Sequence, residues 1–147
     1  MKNIKAINKL KGKITVPGSK SYTQRALVAA SLASGRSLLH NTLISEDTTY
    51  LIDALCAIGV RILRQNNSLH VEGMGGRIEE PSKVLYMGNN GTGLRLLTSL
   101  VCLGRGRFVI DGNERMRQRP IEPLVEALKQ MGVRAYCING CLLYTSD

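Results

Sequence analysis

The sequence of 147 residues predicts an α/β fold, of the mixed α+β kind, built on a repeated unit of about 70 residues. Helical spacing of apolar residues occurs four times, and each such stretch adjoins a short apolar run with strand character. Two of the helices end at a glycine followed by Val-Arg, at Gly59-Val60-Arg61 and Gly132-Val133-Arg134, where a left-handed C-cap would hand over to a strand. The two halves also align with each other: Gly35-Arg36 matches Gly106-Arg107 at an offset of 71, and Gly59 matches Gly132 at 73.

Taken in order, a helix over Ser21–Ser34 opens behind Ser19 or Ser21 as its cap. A strand over Ser37–Leu43 follows, then a helix over Thr48–Ile58 with Leu51, Ala54, Leu55 and Ile58 on one face. Strands are expected at Val60–Arg64 and Leu69–Glu72. In the second copy a strand over Val84–Met87 leads into a helix over Gly91–Leu103, a strand over Phe108–Ile110 and a helix over Pro120–Met131. Ile121, Leu124, Val125 and Leu128 line the apolar face of that helix, Pro120 suits its first turn, and a strand over Val133–Ile138 completes the pattern. Two copies with a ragged end make an incomplete set.

Composition narrows the function. With 44% hydrophobic and 21% charged residues the chain is globular, and disorder is excluded as its main state. No apolar run approaches the roughly 18 residues of a membrane span, and the first 13 residues carry five lysines without a signal-peptide core, so a cytoplasmic protein with no membrane partner is expected. Twenty Lys plus Arg against 11 Asp plus Glu give a net charge of +9, which calls for an anionic partner. One Phe, five Tyr and no Trp offer little for base stacking, so nucleic acid is set aside in favour of a small phosphorylated or carboxylated ligand. Cys56, Cys102, Cys137 and Cys141 form no C-x-x-C pair and only His40 and His70 accompany them, so no metal is expected and the thiols read as reduced core residues.

Three segments could carry chemistry. Val16-Pro17-Gly18-Ser19-Lys20-Ser21 opens the first helix with free N–H groups, a lysine and a hydroxyl, and Arg25 lies one turn further on. It is an anion site or a plain N-cap with solvated charges; it is not a Walker A loop, because Ser19 separates Gly18 from Lys20. Gly88-Asn89-Asn90-Gly91-Thr92-Gly93 opens the third helix, ahead of Arg95, as a ligand-cradling loop or a simple turn. Arg115, Arg117 and Arg119 precede the fourth helix, where their charge opposes the helix dipole unless an anion is near; a bidentate clamp on carboxylate or phosphate, or a solvated run, explains them. Asp47, at the start of the second helix, reads as a cap or dipole partner ahead of the alternative, a catalytic acid. Three helix starts with anion-ready chemistry suggest one site at convergent helix ends.

These residues resemble the EPSP synthase (3-phosphoshikimate 1-carboxyvinyltransferase) family. VPGSKSYTQRALVAASLASG is similar to its opening motif, YMGNNGTGLRLL to its Gly-Asn-x-Gly-Thr segment, and IDGNERMRQRPIEPLVEAL to its Arg-Pro segment. The sister family, UDP-N-acetylglucosamine carboxyvinyltransferase, usually reads Gly-Ala-Lys-Asn where this chain has Gly18-Ser19-Lys20-Ser21, and remains the alternative enzyme; a stand-alone anion-binding module is the alternative outside enzymes. The resemblance implies βαβαββ units in an inside-out barrel, of which residues 18–140 would form about two, while residues 1–17 would join a domain completed elsewhere. It implies that Lys20, Ser21 and Arg25 hold shikimate 3-phosphate, and that Lys20, Gly91 and Arg119 hold phosphoenolpyruvate with Asn89 lining the pocket. It implies carboxyvinyl transfer to the 5-hydroxyl of shikimate 3-phosphate with no cofactor or metal, in an enzyme that is monomeric at full length, with proton-transfer acids beyond Asp147 and this piece inactive alone. Asn90 stands where the family usually has Ala or Ser, and its larger side chain is expected to narrow the phosphoenolpyruvate pocket. Residues 141–147, Cys-Leu-Leu-Tyr-Thr-Ser-Asp, look like translated sequencing adapter and are expected to have no evolved role.

Overall fold

The computed structural model describes residues 9–138 and 142–145. Their elements run α1 (Lys20–Leu32), β1 (Ser34–Leu39), α2 (Glu46–Ala57), β2 (Arg61–Gln65), β3 (Ser68–Met74), β4 (Leu85–Tyr86), α3 (Gly91–Val101), β5 (Phe108–Asp111), α4 (Glu114–Arg117), α5 (Glu122–Gln130), β6 (Ala135–Ile138) and β7 (Leu142–Thr145). The order helix, strand, helix, two strands occurs twice, as α1-β1-α2-β2-β3 and as α3-β5-α5-β6-β7, with α4 added in the second copy. The first half thus folds as the internal repeat predicts, and the second follows it as far as β6 and adds β7.

Each copy wraps its helices with one sheet. The first sheet has the order β1-β3-β2 and is antiparallel throughout; the second has the order β4-β5-β7-β6, with β4 parallel to β5 and the remaining pairs antiparallel. Gly59 and Gly132 take φ of 103° and 89° just after α2 and α5, the left-handed turn that a side chain would strain, and the chain reverses there into β2 and β6. A single apolar cluster joins both copies: Leu27, Leu51 and Leu55 from the first pack with Leu94, Leu97, Phe108 and Val125 from the second. Helices α1, α2 and α3 pack pairwise at its centre, which brings the start of each helix towards its neighbours.

Several boundaries differ from expectation for physical reasons. β1 begins at Ser34 rather than Ser37 and ends at Leu39, because its ladder with β3 pairs Ser34 with Met74 through Leu39 with Leu69. Pro123, not Pro120, occupies the first turn of the last helix, which starts at Glu122. The arginine-rich segment forms its own turn, α4, because the Asn113 side chain accepts from Met116 N at 2.9 Å and Met116 is buried. Cys56 is exposed and Cys102 and Cys137 are half-buried, so these thiols line the margins of the core rather than fill it; all three are free. Burial still pushes the thiol pKa of each above its ordinary value. Cys141, Ser146 and Asp147 lie outside the described residues, as do Met1 to Asn8, while Leu142–Thr145 pairs as β7 between β5 and β6.

Candidate functional site

Ser19 caps α1, its hydroxyl accepting from Tyr22 N, and Lys20 is the first helical residue. Gly18 approaches backbone so closely that a Cβ there would lie 2.9 Å from Leu43 N and collide with Asn41 O. That contact fixes the start of α1 against the segment leading into α2. Thr23 adds to it: its hydroxyl donates to Ser19 O at 2.8 Å and accepts from Leu43 N at 3.1 Å. The glycine of the opening motif thus serves packing, and the lysine is left to face outward.

Lys20 Nζ meets Asp47 Oδ2 at 2.5 Å. Asp47 sits in the first turn of α2, where its charge suits the helix dipole, while the cap itself is Ser45 in a reciprocal capping box with Thr48. Side-chain exposures of 48% and 24% make this an exposed pair of about 0–1 kcal/mol, too weak to commit the lysine against a stronger anion.

The start of α3 lies beside this pair. Asn90 caps the helix, its Oδ1 accepting from Gly93 N at 2.8 Å, and its Nδ2 donates to Asp47 O at 2.7 Å. The next residue, Gly91, is buried, and a Cβ on it would come 2.7 Å from Arg119 Nη1 and 3.2 Å from Arg95 Nη1. Arg95 donates from Nη1 to Gly91 O at 3.1 Å and from Nη2 to Pro120 O at 2.7 Å, tying the segment that carries Arg119 to the first turn of α3. The Arg119 guanidinium has no hydrogen-bond or ion-pair partner among the described residues, although the residue is half-buried. Asn89 Oδ1 is buried without a hydrogen-bond partner.

The structure therefore brings Lys20, Asn89, Gly91 and Arg119 into one neighbourhood, linked through Asp47 and Asn90. Ser21 and Arg25 are exposed on α1, and Arg25 turns back to donate to Ser21 O at 3.1 Å. The bidentate arginine clamp exists too, but it closes on the chain itself: Arg117 Nε and Nη2 donate to Asp111 at 2.9 and 2.5 Å. These bonds, with a further one from Gly112 N, hold the Asp111 carboxyl below the usual carboxylate range, against the opposing effect of burial. Arg115 is exposed, so Arg119 alone of the three reaches α3. Asn90 is 1% exposed, and its amide accepts from Gly93 N and donates to Asp47 O, which braces the starts of α2 and α3 against each other. Sequence reasoning missed Asp47 as the partner of Lys20, since a residue separation of 27 gives no local signal.

A cleft of about 400 Å³ over the first sheet, lined by Arg36, Leu38, Arg61, Leu63, His70 and Glu72 among others, shares no residue with this group. Among the described residues no cluster of His, Cys, Asp or Glu could hold a metal ion, and no helix is long and apolar enough to cross a membrane.

Repeated helix-and-sheet units define the class, a mixed α/β repeat protein, in which Lys20, Gly91 and Arg119 adjoin at neighbouring helix starts and, of the two cations, Arg119 alone lacks a partner among the described residues. The family model of EPSP synthase (3-phosphoshikimate 1-carboxyvinyltransferase) matches residues 4–145, and the chain belongs to that family. A 3-phosphoshikimate 1-carboxyvinyltransferase of Rhizobium leguminosarum bv. trifolii is 46% identical over 132 residues, covering 90% of this chain and 31% of the relative. One from Syntrophobacter fumaroxidans is 43% identical over 136 residues, covering 92% of this chain and 32% of the relative. A solved EPSP synthase from Acinetobacter baumannii superimposes with a TM-score of 0.84 at 30% identity, over 92% of this chain and 32% of that one. The chain thus spans about a third of the length of the relatives it matches.

Proposed function

We propose that the intact protein carrying this sequence transfers the carboxyvinyl group of phosphoenolpyruvate to the 5-hydroxyl of shikimate 3-phosphate. The observation that carries this reading is the half-buried, unpartnered Arg119 guanidinium against the Gly91 end of α3, beside the Lys20–Asp47 pair. Relatives named for this reaction support the choice of substrates and disfavour the UDP-sugar alternative.

In the reaction the 5-hydroxyl oxygen bonds to C2 of phosphoenolpyruvate while the methylene carbon gains a proton. The tetrahedral intermediate then expels phosphate and returns a proton from the methyl group, restoring the double bond. Both reactants are polyanions, so cationic groups that need no reorganisation supply most of what this piece can contribute. Arg119 offers a planar fork suited to a carboxylate or phosphate. Lys20 offers a point charge that Asp47 holds in place and that both substrates can share. Ser21 and Arg25, a turn apart on α1 and both exposed, share a face next to Lys20 from which they hold shikimate 3-phosphate. On this reading residues 18–140 contribute about two units of one domain, and residues 1–17 belong to another.

The test is phosphate release from phosphoenolpyruvate, dependent on shikimate 3-phosphate, in the intact protein. Lys20→Ala and Arg119→Ala each remove a charge-assisted contact of roughly 1.5–3 kcal/mol, and turnover is expected to fall at least tenfold. Wild-type turnover in both variants overturns the assignment. The module alternative separates from it by calorimetric titration of the 147-residue chain with shikimate 3-phosphate, since only a self-sufficient binding unit shows saturable heat beside a cooperative melt.

A further inference from the structure

We propose that Asn90 is a positioning residue that sets the separation between the two halves of the anion site, Lys20–Asp47 on one side and Gly91–Arg119 on the other. The role rests on the anion-site reading above and deepens it. Each half is built on different elements: Lys20 and Asp47 begin α1 and α2, whereas Gly91 begins α3 and Arg119 is tied to that helix through Arg95. One buried amide bridges them. Its oxygen takes Gly93 N at 2.8 Å, and its nitrogen reaches Asp47 O at 2.7 Å. The carbonyl it holds belongs to the residue whose carboxylate grips Lys20, and the residue that follows it is Gly91.

The chemistry admits few replacements. An amide carries an acceptor and a donor on one rigid plane, and this position uses one of each. Ser keeps an acceptor for Gly93 N but is too short to reach Asp47 O. Asp keeps the acceptor and turns its second oxygen on the Asp47 carbonyl, where two acceptors repel. Space is matched as well: a Cβ at residue 93 would collide with Asn90 Nδ2 and lie 2.8 Å from its Cγ, so the bridge requires glycine there. Ala and Ser at position 90 cannot form this bridge, so it depends on the amide itself.

The experiment compares Asn90→Ala, Asn90→Ser and Asn90→Asp with wild type in the intact protein, by melting temperature, by calorimetric titration with inorganic phosphate, and by KM and kcat for phosphoenolpyruvate. A cap restored by Ser should raise the melting temperature above that of Asn90→Ala. Phosphate affinity and KM should nevertheless worsen about tenfold in both, with kcat changed by less than about 2-fold, because both lose the link to Asp47. Asn90→Asp should be the weakest phosphate binder of the three. If phosphate affinity in Asn90→Ser equals wild type, Asn90 is only a cap and the inference fails. If wild type shows no transferase activity, the reaction assignment fails, and the phosphate titration still decides the role of Asn90.

Discussion

Gly91 shows how little room the site leaves at the level of single residues. Its missing side chain is the space into which the Arg119 guanidinium fits, and Arg95 Nη1, 3.2 Å from the same point, is also closer than ordinary van der Waals contact. Gly91→Ala must displace one arginine or both, and Arg95 is the better anchored, holding two carbonyls. The expected result in the intact protein is a KM for phosphoenolpyruvate raised about tenfold, equivalent to about 1.4 kcal/mol, with little change in melting temperature. An unchanged KM would mean that Arg119 does not touch the substrate. Gly93 poses the opposite case, because its neighbour is the Asn90 amide in the core. Gly93→Ala is expected to destabilise by about 1–3 kcal/mol, and the loss should shrink in an Asn90→Ala background, where the Asn90 amide is gone and only the flexible Met87 Cε, 2.8 Å from the new Cβ, still has to give way. Denaturant unfolding of the two singles and the double checks this; additive losses would show that the two residues do not share the space. Residue type and local spacing marked the three segments, while the choice of Gly91 and Arg119 within them came from the resemblance to the family. The partners of the candidate residues were not legible: Asp47 meets Lys20 and Asn90 through tertiary packing, over separations of 27 and 43 residues.

At the scale of elements, periodicity located the helices because their apolar faces meet one core, and glycines marked where α2 and α5 stop. What it could not locate was α4, a turn of four residues with too few positions to show a period. β7 is as short, and it pairs along its backbone with β6 from Ala135↔Thr145 to Ile138↔Leu142, an inter-strand register that local periodicity does not show. The chemistry of the α4 segment also escaped a purely electrostatic reading, since Arg117 answers an internal acid. Asp111, at the end of β5, is 12% exposed and grips Arg117 across the turn, which links α4 to the sheet. Its pKa in the fold is lowered, chiefly by the Arg117 hydrogen bonds. The native state therefore binds this proton more weakly than the unfolded chain does. The resulting stability is present above the unfolded carboxylate value of about 3.9 and is lost as pH falls through the lower folded value. With Arg117 half exposed, solvent reduces the effect, so Asp111→Asn should cost about 1–2 kcal/mol at pH 7. That gap should start to narrow at about pH 4 and close only once pH falls below the lowered folded value, where wild type loses the same interaction. Urea titrations of both proteins across this range test it, and a gap independent of pH would assign the loss to packing.

For the molecule as a whole, the question is whether two copies of a repeat amount to two folding units or one. Each copy has its own sheet, which argues for independence, but the apolar cluster does not divide between them. Leu27 of α1 and Leu97 of α3 are both fully buried within it, and α1 packs on α3 as well as on α2. Opening the second copy would strip one face of α1, so the cost of exposing either helix includes much of the same surface. The candidate site depends on this sharing, because Lys20 belongs to one copy and Gly91 and Arg119 to the other; independent copies would let these groups drift apart. Leu97→Ala, which removes buried methyl groups where α3 meets the common core, should destabilise by about 2–5 kcal/mol. In native-state hydrogen exchange on the intact protein, the amides of Leu27 and Ala30 in α1 should then lose protection by the same factor as those of Leu97 and Leu100 in α3, about tenfold for each 1.4 kcal/mol. Loss confined to α3, with α1 as protected as in wild type, would show two separable units, and the anion site would then need another tie than the shared core.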